Sequence, residues 1–193
     1  MSAPQLWVLA GGNGAGKSTF YQLALAPRGV KLINADLIAR VINPARPESV
    51  SYEAAGIADN IRTALLHQGA HFCFETVFSH PSKIDFIANA KALNYEVILV
   101  YIHLTLPQLN EARVHQRVSE GGHDVPPEKI RTRIPRTIKN ITLALPLVDE
   151  ARFLDNSLHG DPFRQIAIVR QGVCVWATDP LPAWAGEILA GRH

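Results

Sequence analysis

Leu6-Trp-Val-Leu-Ala10 runs straight into Gly11, Gly12, Asn13, Gly14, Ala15, Gly16, Lys17, Ser18 and Thr19. The five apolar residues read as a short buried strand, and Ser18 to Ala26 reads as a helix stopped by Pro27. Between them the stretch fits Gly-x4-Gly-Lys-Ser/Thr, in the strand-then-helix context the motif requires. With this composition a chance match is expected on the order of 0.002 times. Glycines let such a loop curl until successive backbone N–H groups point inward, and the helix that follows adds its positive end. The loop is therefore read as a phosphate cradle for a nucleotide, with Lys17 supplying charge to the β- and γ-phosphates and Ser18 placed to coordinate Mg2+.

Working outward, Val30 to Asn34 is a second strand and Ser49 to Gln68 a helix, with Ile57, Ile61, Leu65 and Leu66 at helical spacing. His71 to Glu75 is strand-like, Pro81 opens another helix, and Tyr95 to Leu104 is the strongest strand of the chain. Pro107 opens the next helix, where a missing N–H costs nothing. A Gly-Gly-His-Asp-Val-Pro-Pro loop at 121–127 leads to a basic helix in which Pro135 predicts a kink, and Ala151 to Asp155 is a last inner strand. Gln165–Val169 and Val173–Trp176 flank Gln171-Gly172 as a terminal hairpin, before a short helix from Leu181 to about Leu189. Strands alternating with helices predict an α/β fold, a three-layer P-loop arrangement with a parallel sheet covered on both faces. No linker or internal repeat is visible, and the expectation is one domain over 1–193 with an arginine-bearing lid at about 113–139.

Composition agrees with that reading. Of 193 residues, 47% are apolar and 19% charged, which excludes disorder, collagen and coiled coil. The longest apolar run, Val97 to Ile102, is far too short to cross a membrane. With no basic flank leading into an apolar stretch at the N-terminus, a cytoplasmic protein is expected. Cys73 and Cys174 lie in apolar runs without metal-ligand spacing and read as reduced buried thiols. Net charge is only +2, but 113–139 holds seven basic side chains (Arg113, Arg117, Lys129, Arg131, Arg133, Arg136, Lys139) against Glu120, Asp124 and Glu128. So local a patch suits a small polyanion better than a long nucleic acid.

A phosphate loop serves kinases, GTPases and transport ATPases alike. Neither the Asn-Lys-x-Asp guanine reader nor the Leu-Ser-Gly-Gly-Gln transporter signature occurs, which leaves a small-molecule kinase. Such an enzyme needs a general base facing an acceptor hydroxyl in line with the γ-phosphate. Asp36, just past the second strand, would emerge at the carboxyl edge of the sheet beside the phosphate loop; it is also placed to cap a helix from Leu37 onward. Glu75 and Thr76 close the third strand, where a carboxylate serves Mg2+, its water or acceptor hydroxyls. Arg113 and Arg117 share a helix face, and Arg131, Arg133 and Arg136 follow on the next helix. Two arginine-bearing helices joined by glycines read as a lid with phosphate clamps, with His123 at its tip. Trp7 is expected in the core, Trp176 and Trp184 in C-terminal packing, and Asp155-Asn156-Ser157 either near adenine or as a plain turn.

The loop from Leu9 to Thr19, Asn34-Ala-Asp36, Phe74-Glu-Thr76, the run Arg117-Val-Ser-Glu-Gly-Gly-His-Asp-Val-Pro126 and Asp155-Asn-Ser157 together resemble the zeta-toxin family of P-loop kinases, over roughly residues 5 to 157. The resemblance implies ATP-dependent phosphorylation of a hydroxyl on UDP-N-acetylglucosamine, with Lys17 and Ser18 on ATP and Mg2+, Asp36 as base, Glu75 and Thr76 on the acceptor, and Arg117 as the first lid arginine. It leaves open a small antitoxin-like inhibitor protein as partner. The pattern departs from the toxins at His123, where they carry a second lid arginine that Arg131 or Arg133 would have to replace, and at Thr76-Val77, where they have Glu-Gly-Thr. A nucleotide or nucleic-acid-end kinase and an ATP-dependent switch with slow hydrolysis stay open as alternatives.

Overall fold

The computed structural model describes residues 3–119 and 125–191. Its sheet has seven strands: β1 (Gln5–Ala10), β2 (Lys31–Ile33), β3 (Phe72–Thr76), β4 (Glu96–His103), β5 (Glu150–Asp155), β6 (Arg164–Arg170) and β7 (Val173–Ala177). They lie in the order β2-β3-β1-β4-β5-β6-β7. The first five are parallel, while β6 and β7 add antiparallel at one edge, so the terminal hairpin extends the parallel sheet.

Side-chain alternation along the inner strands builds two cores. Leu6, Val8, Phe72, Phe74, Leu99 and Phe153 face one side, against helices α3 (Ser51–His67), α4 (Ser82–Ala92), α6 (Pro127–Ala144) and α7 (Ala183–Leu189). Trp7, Leu9, Cys73, Ile98, Val100 and Ile102 face the other. Against them lie Leu109 of α5 (Pro107–Ser119) and the segment after the phosphate loop, in which α1 (Lys17–Phe20) passes into a π turn, Tyr21–Leu25, and a 3-10 turn, Ala26–Arg28. The single helix expected to Ala26 is thus three short turns. Pro27 lacks the N–H and the room that an α-helix would need there.

Two expectations are corrected here, the cap of the helix after β2 and the burial of Trp176 and Cys174. A helix, α2 (Ala35–Ile42), follows β2, and its cap is Asn34: Asn34 Oδ1 accepts from the Asp36 and Leu37 N–H groups at 2.7 and 3.4 Å. Asp36 therefore sits inside the first turn and does not cap it. In α3 the buried stripe is Ala54, Ala58, Arg62 and Leu66, with Ile57 and Ile61 turned outward. Burying an arginine is tolerable here because its guanidinium lies 5.0 Å from the Phe74 ring centroid and pairs with Asp59. Trp176, on the outer strand, is 45% exposed and Cys174 only half-buried, whereas Trp7, Trp184 and Cys73 are buried. Helix α6 runs as one element through Pro135. Among the described residues, no helix is long and apolar enough to cross a membrane.

Candidate active site

The sheet order decides which loops meet. β1 lies between β3 and β4, so its exit, the phosphate loop, is flanked by the β3 exit: Leu9 registers with Glu75 and Ala10 with Thr76. β2 lies beyond β3, so Asp36 emerges on the same edge. A cavity of about 920 Å³ opens there, lined by the loop, the starts of α2 and α3, the β3 exit and the helices α5 and α6.

Within the loop, Gly14 and Gly16 take left-handed φ of 75° and 97°, which keeps the chain curled. Its carbonyls are held by the protein. Lys17 Nζ donates to the carbonyls of Gly11 and Gly12, each at 2.9 Å, Asn110 Nδ2 to that of Asn13 at 2.7 Å, and Asn156 Nδ2 to that of Ala15 at 2.9 Å. Gly11, Gly12 and Ala15 thus form the back of the cradle, while Asn13, Gly14, Gly16, Lys17, Ser18 and Thr19 face the cavity.

Four charges interact in this space. Desolvation lowers the Lys17 pKa from the ordinary lysine value; the Glu75 and Asp36 carboxylates oppose that, and Arg117 adds to it. Burial pushes the Glu75 carboxyl above its usual range, opposed by Lys17 and by the Ser18 hydroxyl, which donates to Glu75 Oε2 at 3.1 Å. The neighbouring Asp36 charge raises it further, and the Asn34 amide counteracts. Glu75 Oε1 is buried and accepts no hydrogen bond of normal length among the described residues. A hydroxyl and a carboxylate with a spare oxygen, beside a phosphate cradle, fit Mg2+, which takes few protein oxygens and completes its shell with phosphate and water. Ser18 and Glu75 are the residues that would hold it.

The β3 exit is braced by hydrogen bonds. Thr76 Oγ1 accepts from the Phe78 N–H at 2.9 Å, Thr137 donates to the Val77 carbonyl at 2.7 Å, and Asn140 to the Phe78 carbonyl at 3.0 Å. These bonds hold Phe78 at a φ of 62°, unusual for a side chain of that size, and keep Thr76 and Val77 on the cavity wall.

The predicted arginines divide. Arg113, Arg117 and Arg133 line the cavity. Arg113 Nη2 also donates to the Asn156 carbonyl at 2.9 Å, and Arg133 Nη1 to Asn13 Oδ1 at 3.3 Å. Arg131 instead forks onto Glu111 across α5 and α6, at 2.6 and 3.0 Å, outside the cavity. His123 lies outside the described residues. Sequence reasoning missed Lys129, which sits one turn before Arg133 and faces the cavity, and Tyr52 at the start of α3. It also missed Asn110, and it left Asn156 undecided between adenine and a turn. Lys129 belonged to the basic segment already noted; a lone tyrosine or asparagine on a helix carries no motif signal.

A family model described as Zeta toxin matches residues 1–179. The chain belongs to the zeta toxin family. An uncharacterized protein of Haemophilus influenzae is 30% identical over 140 residues, 69% of this chain and 99% of that one. Solved structures share the fold at lower identity. The AvrRxo1-ORF1:-ORF2 complex with ATP superposes with a TM-score of 0.71 at 20% identity, over 89% of this chain and 60% of that one. The PezAT chromosomal toxin-antitoxin system of Streptococcus pneumoniae gives 0.66 at 17%, over 100% and 79%. This zeta-toxin chain therefore spans about 60% of the length of the AvrRxo1 chain it matches. The fold is that of the P-loop kinases, a mixed, mostly parallel sheet flanked by helices.

Proposed function

We propose that this zeta-toxin-family protein is an ATP-dependent kinase that phosphorylates a hydroxyl of a nucleotide sugar, with UDP-N-acetylglucosamine as the acceptor the family resemblance implies. The observation that carries this is the sharing of one cavity by Lys17, Asp36 and Glu75, close enough that each carboxylate biases the lysine's protonation. Among the described residues, five cationic side chains line it, Lys17, Arg113, Arg117, Lys129 and Arg133, against the carboxylates of Asp36 and Glu75. That excess suits a triphosphate and its transfer.

The acceptor oxygen bonds to the γ-phosphorus as the bond to the β–γ bridging oxygen breaks, and ADP departs. Asp36 takes the hydroxyl proton. Lys17 and the loop N–H groups hold the β- and γ-phosphates, and the arginines stabilise charge spread over the transferring oxygens. Ser18 and Glu75 would hold Mg2+, which would supply further charge neutralisation when bound.

The test is an acceptor screen with ATP and purified protein, read by ADP release and by the mass of the product. UDP-N-acetylglucosamine should accelerate ADP release and gain one phosphoryl group. If no small hydroxyl compound accelerates ADP release, the protein is a nucleotide-dependent switch; if oligonucleotide ends do so alone, it is an end kinase. Because the PezAT structure is of a toxin-antitoxin system, a small inhibitor protein is proposed as partner here, to be sought by co-purification with the product of the adjacent reading frame.

A further inference from the structure

Two glycines of the phosphate loop, Gly12 and Gly14, stand at positions that the general motif leaves free. The structure brings the same residue against both, and Gly14 in addition has a left-handed φ of 75°. A β-carbon at Gly12 would come 2.8 Å from Asn110 Nδ2, and one at Gly14 would come 2.7 Å from the Asn110 carbonyl oxygen. Gly12 does not lie in the left-handed region, so what favours glycine there is the close approach of the buried Asn110 amide and not a backbone demand. Asn110 is 2% exposed, and its amide makes the 2.7 Å bond to the Asn13 carbonyl.

We infer that Asn110 is a positioning residue for the nucleotide: it grips the back of the loop and, by holding the Asn13 carbonyl outward, turns the loop N–H groups toward the phosphates. Asn156 performs the same service two residues on. Its Nδ2 holds the Ala15 carbonyl, and its own carbonyl accepts from Arg113, one turn along α5 from Asn110. Helix α5 therefore both shapes the cradle through Asn110 and carries two of the arginines that face it. A buried amide here is preferable to an apolar residue because a curled loop exposes carbonyls on its outer side, and each one left unpaired in the interior is costly.

The inference rests on the reading of this cavity as an ATP site, and the experiment separates the two. Affinity for ATP with Mg2+ is measured calorimetrically, alongside thermal midpoints, for the unaltered protein, Asn110→Ala, Gly12→Ala and the double variant. Each single variant should weaken ATP binding about tenfold or more, the loss expected for one buried hydrogen bond in a binding loop. In the double variant Gly12→Ala should add less than about threefold, since the group it clashes with has gone. In turnover, the KM for ATP should rise while the KM for the acceptor holds, a split that general loosening of the fold would not give. Unchanged ATP affinity in Asn110→Ala, or losses that multiply in the double variant, overturns the positioning role. Should Asn110→Ala not fold, Gly12→Ala decides alone: tight ATP binding by that folded variant overturns the inference. An unaltered protein that binds no ATP overturns the nucleotide-site reading and this inference together.

Discussion

Asp36→Asn is the substitution from which most can be learned, because the structure separates its effects. The side chain is exposed, within the first turn of α2, and the helix keeps its cap because that role belongs to Asn34. What stability loses is the favourable placement of one negative charge at a helix start, about 0.3–1 kcal/mol. What catalysis loses is the base, on the order of 10²–10⁴ in kcat, or about 3–5 kcal/mol of barrier. Nucleotide affinity should hold or improve, since among the described residues the five cations of the lining then face Glu75 alone. The assay has three readings on one preparation: acceptor-dependent ADP release, calorimetric ATP affinity and thermal midpoint. A kcat reduced by less than about tenfold would remove Asp36 from the chemistry. A collapse of ATP affinity with the fold intact would make it a nucleotide ligand instead.

Glu75→Gln should abolish most turnover yet raise the thermal midpoint of the ligand-free protein at neutral pH, because burial disfavours the ionised Glu75 carboxylate; a lower midpoint would contradict this. His103 is buried, stacked on Trp184 at 4.5 Å between centroids, with a pKa lowered to about 4 chiefly by desolvation, Asp155 opposing. The unfolded chain binds that proton first as pH falls through about 6.5, so the contribution is full above that value and declines toward pH 4 by as much as about 3 kcal/mol. Urea midpoints at pH 7 and 5 should differ less in His103→Gln than in the unaltered protein, and an equal difference would count against it. Glu75, with its raised pKa, acts in the opposite sense over the acid range, so the comparison is made within each variant. Asn140→Ala leaves the Phe78 carbonyl without its buried donor and should cost about 1–3 kcal/mol, with a raised KM for the acceptor as the β3 exit relaxes. Full stability in urea would show the bond to be dispensable.

Much of this architecture is legible in the sequence, because the signals are local. An apolar run ending in glycines, a lysine after the sixth residue of a loop, and proline at a helix start act through backbone geometry within a few residues. That is why β1, the cradle, β4 and the terminal hairpin are found where the chain predicts them. The capping role of Asn34 was equally local, but the aspartate two residues on competed for the same reading. Other features depend on neighbours distant in sequence. Only the insertion of β1 between β3 and β4 brings Glu75 against Ser18, 57 residues away. Only the packing of α5 on α6 turns Arg131 to Glu111 while Arg133 and Lys129 face the cavity. Arg62 reads as a solvent residue until Phe74 and Phe86 are placed beneath it, and Asn110 reads as any helical asparagine until a loop of glycines is laid against it. Backbone preferences are written residue by residue, whereas the partner of a side chain is set by which surfaces the sheet order brings together.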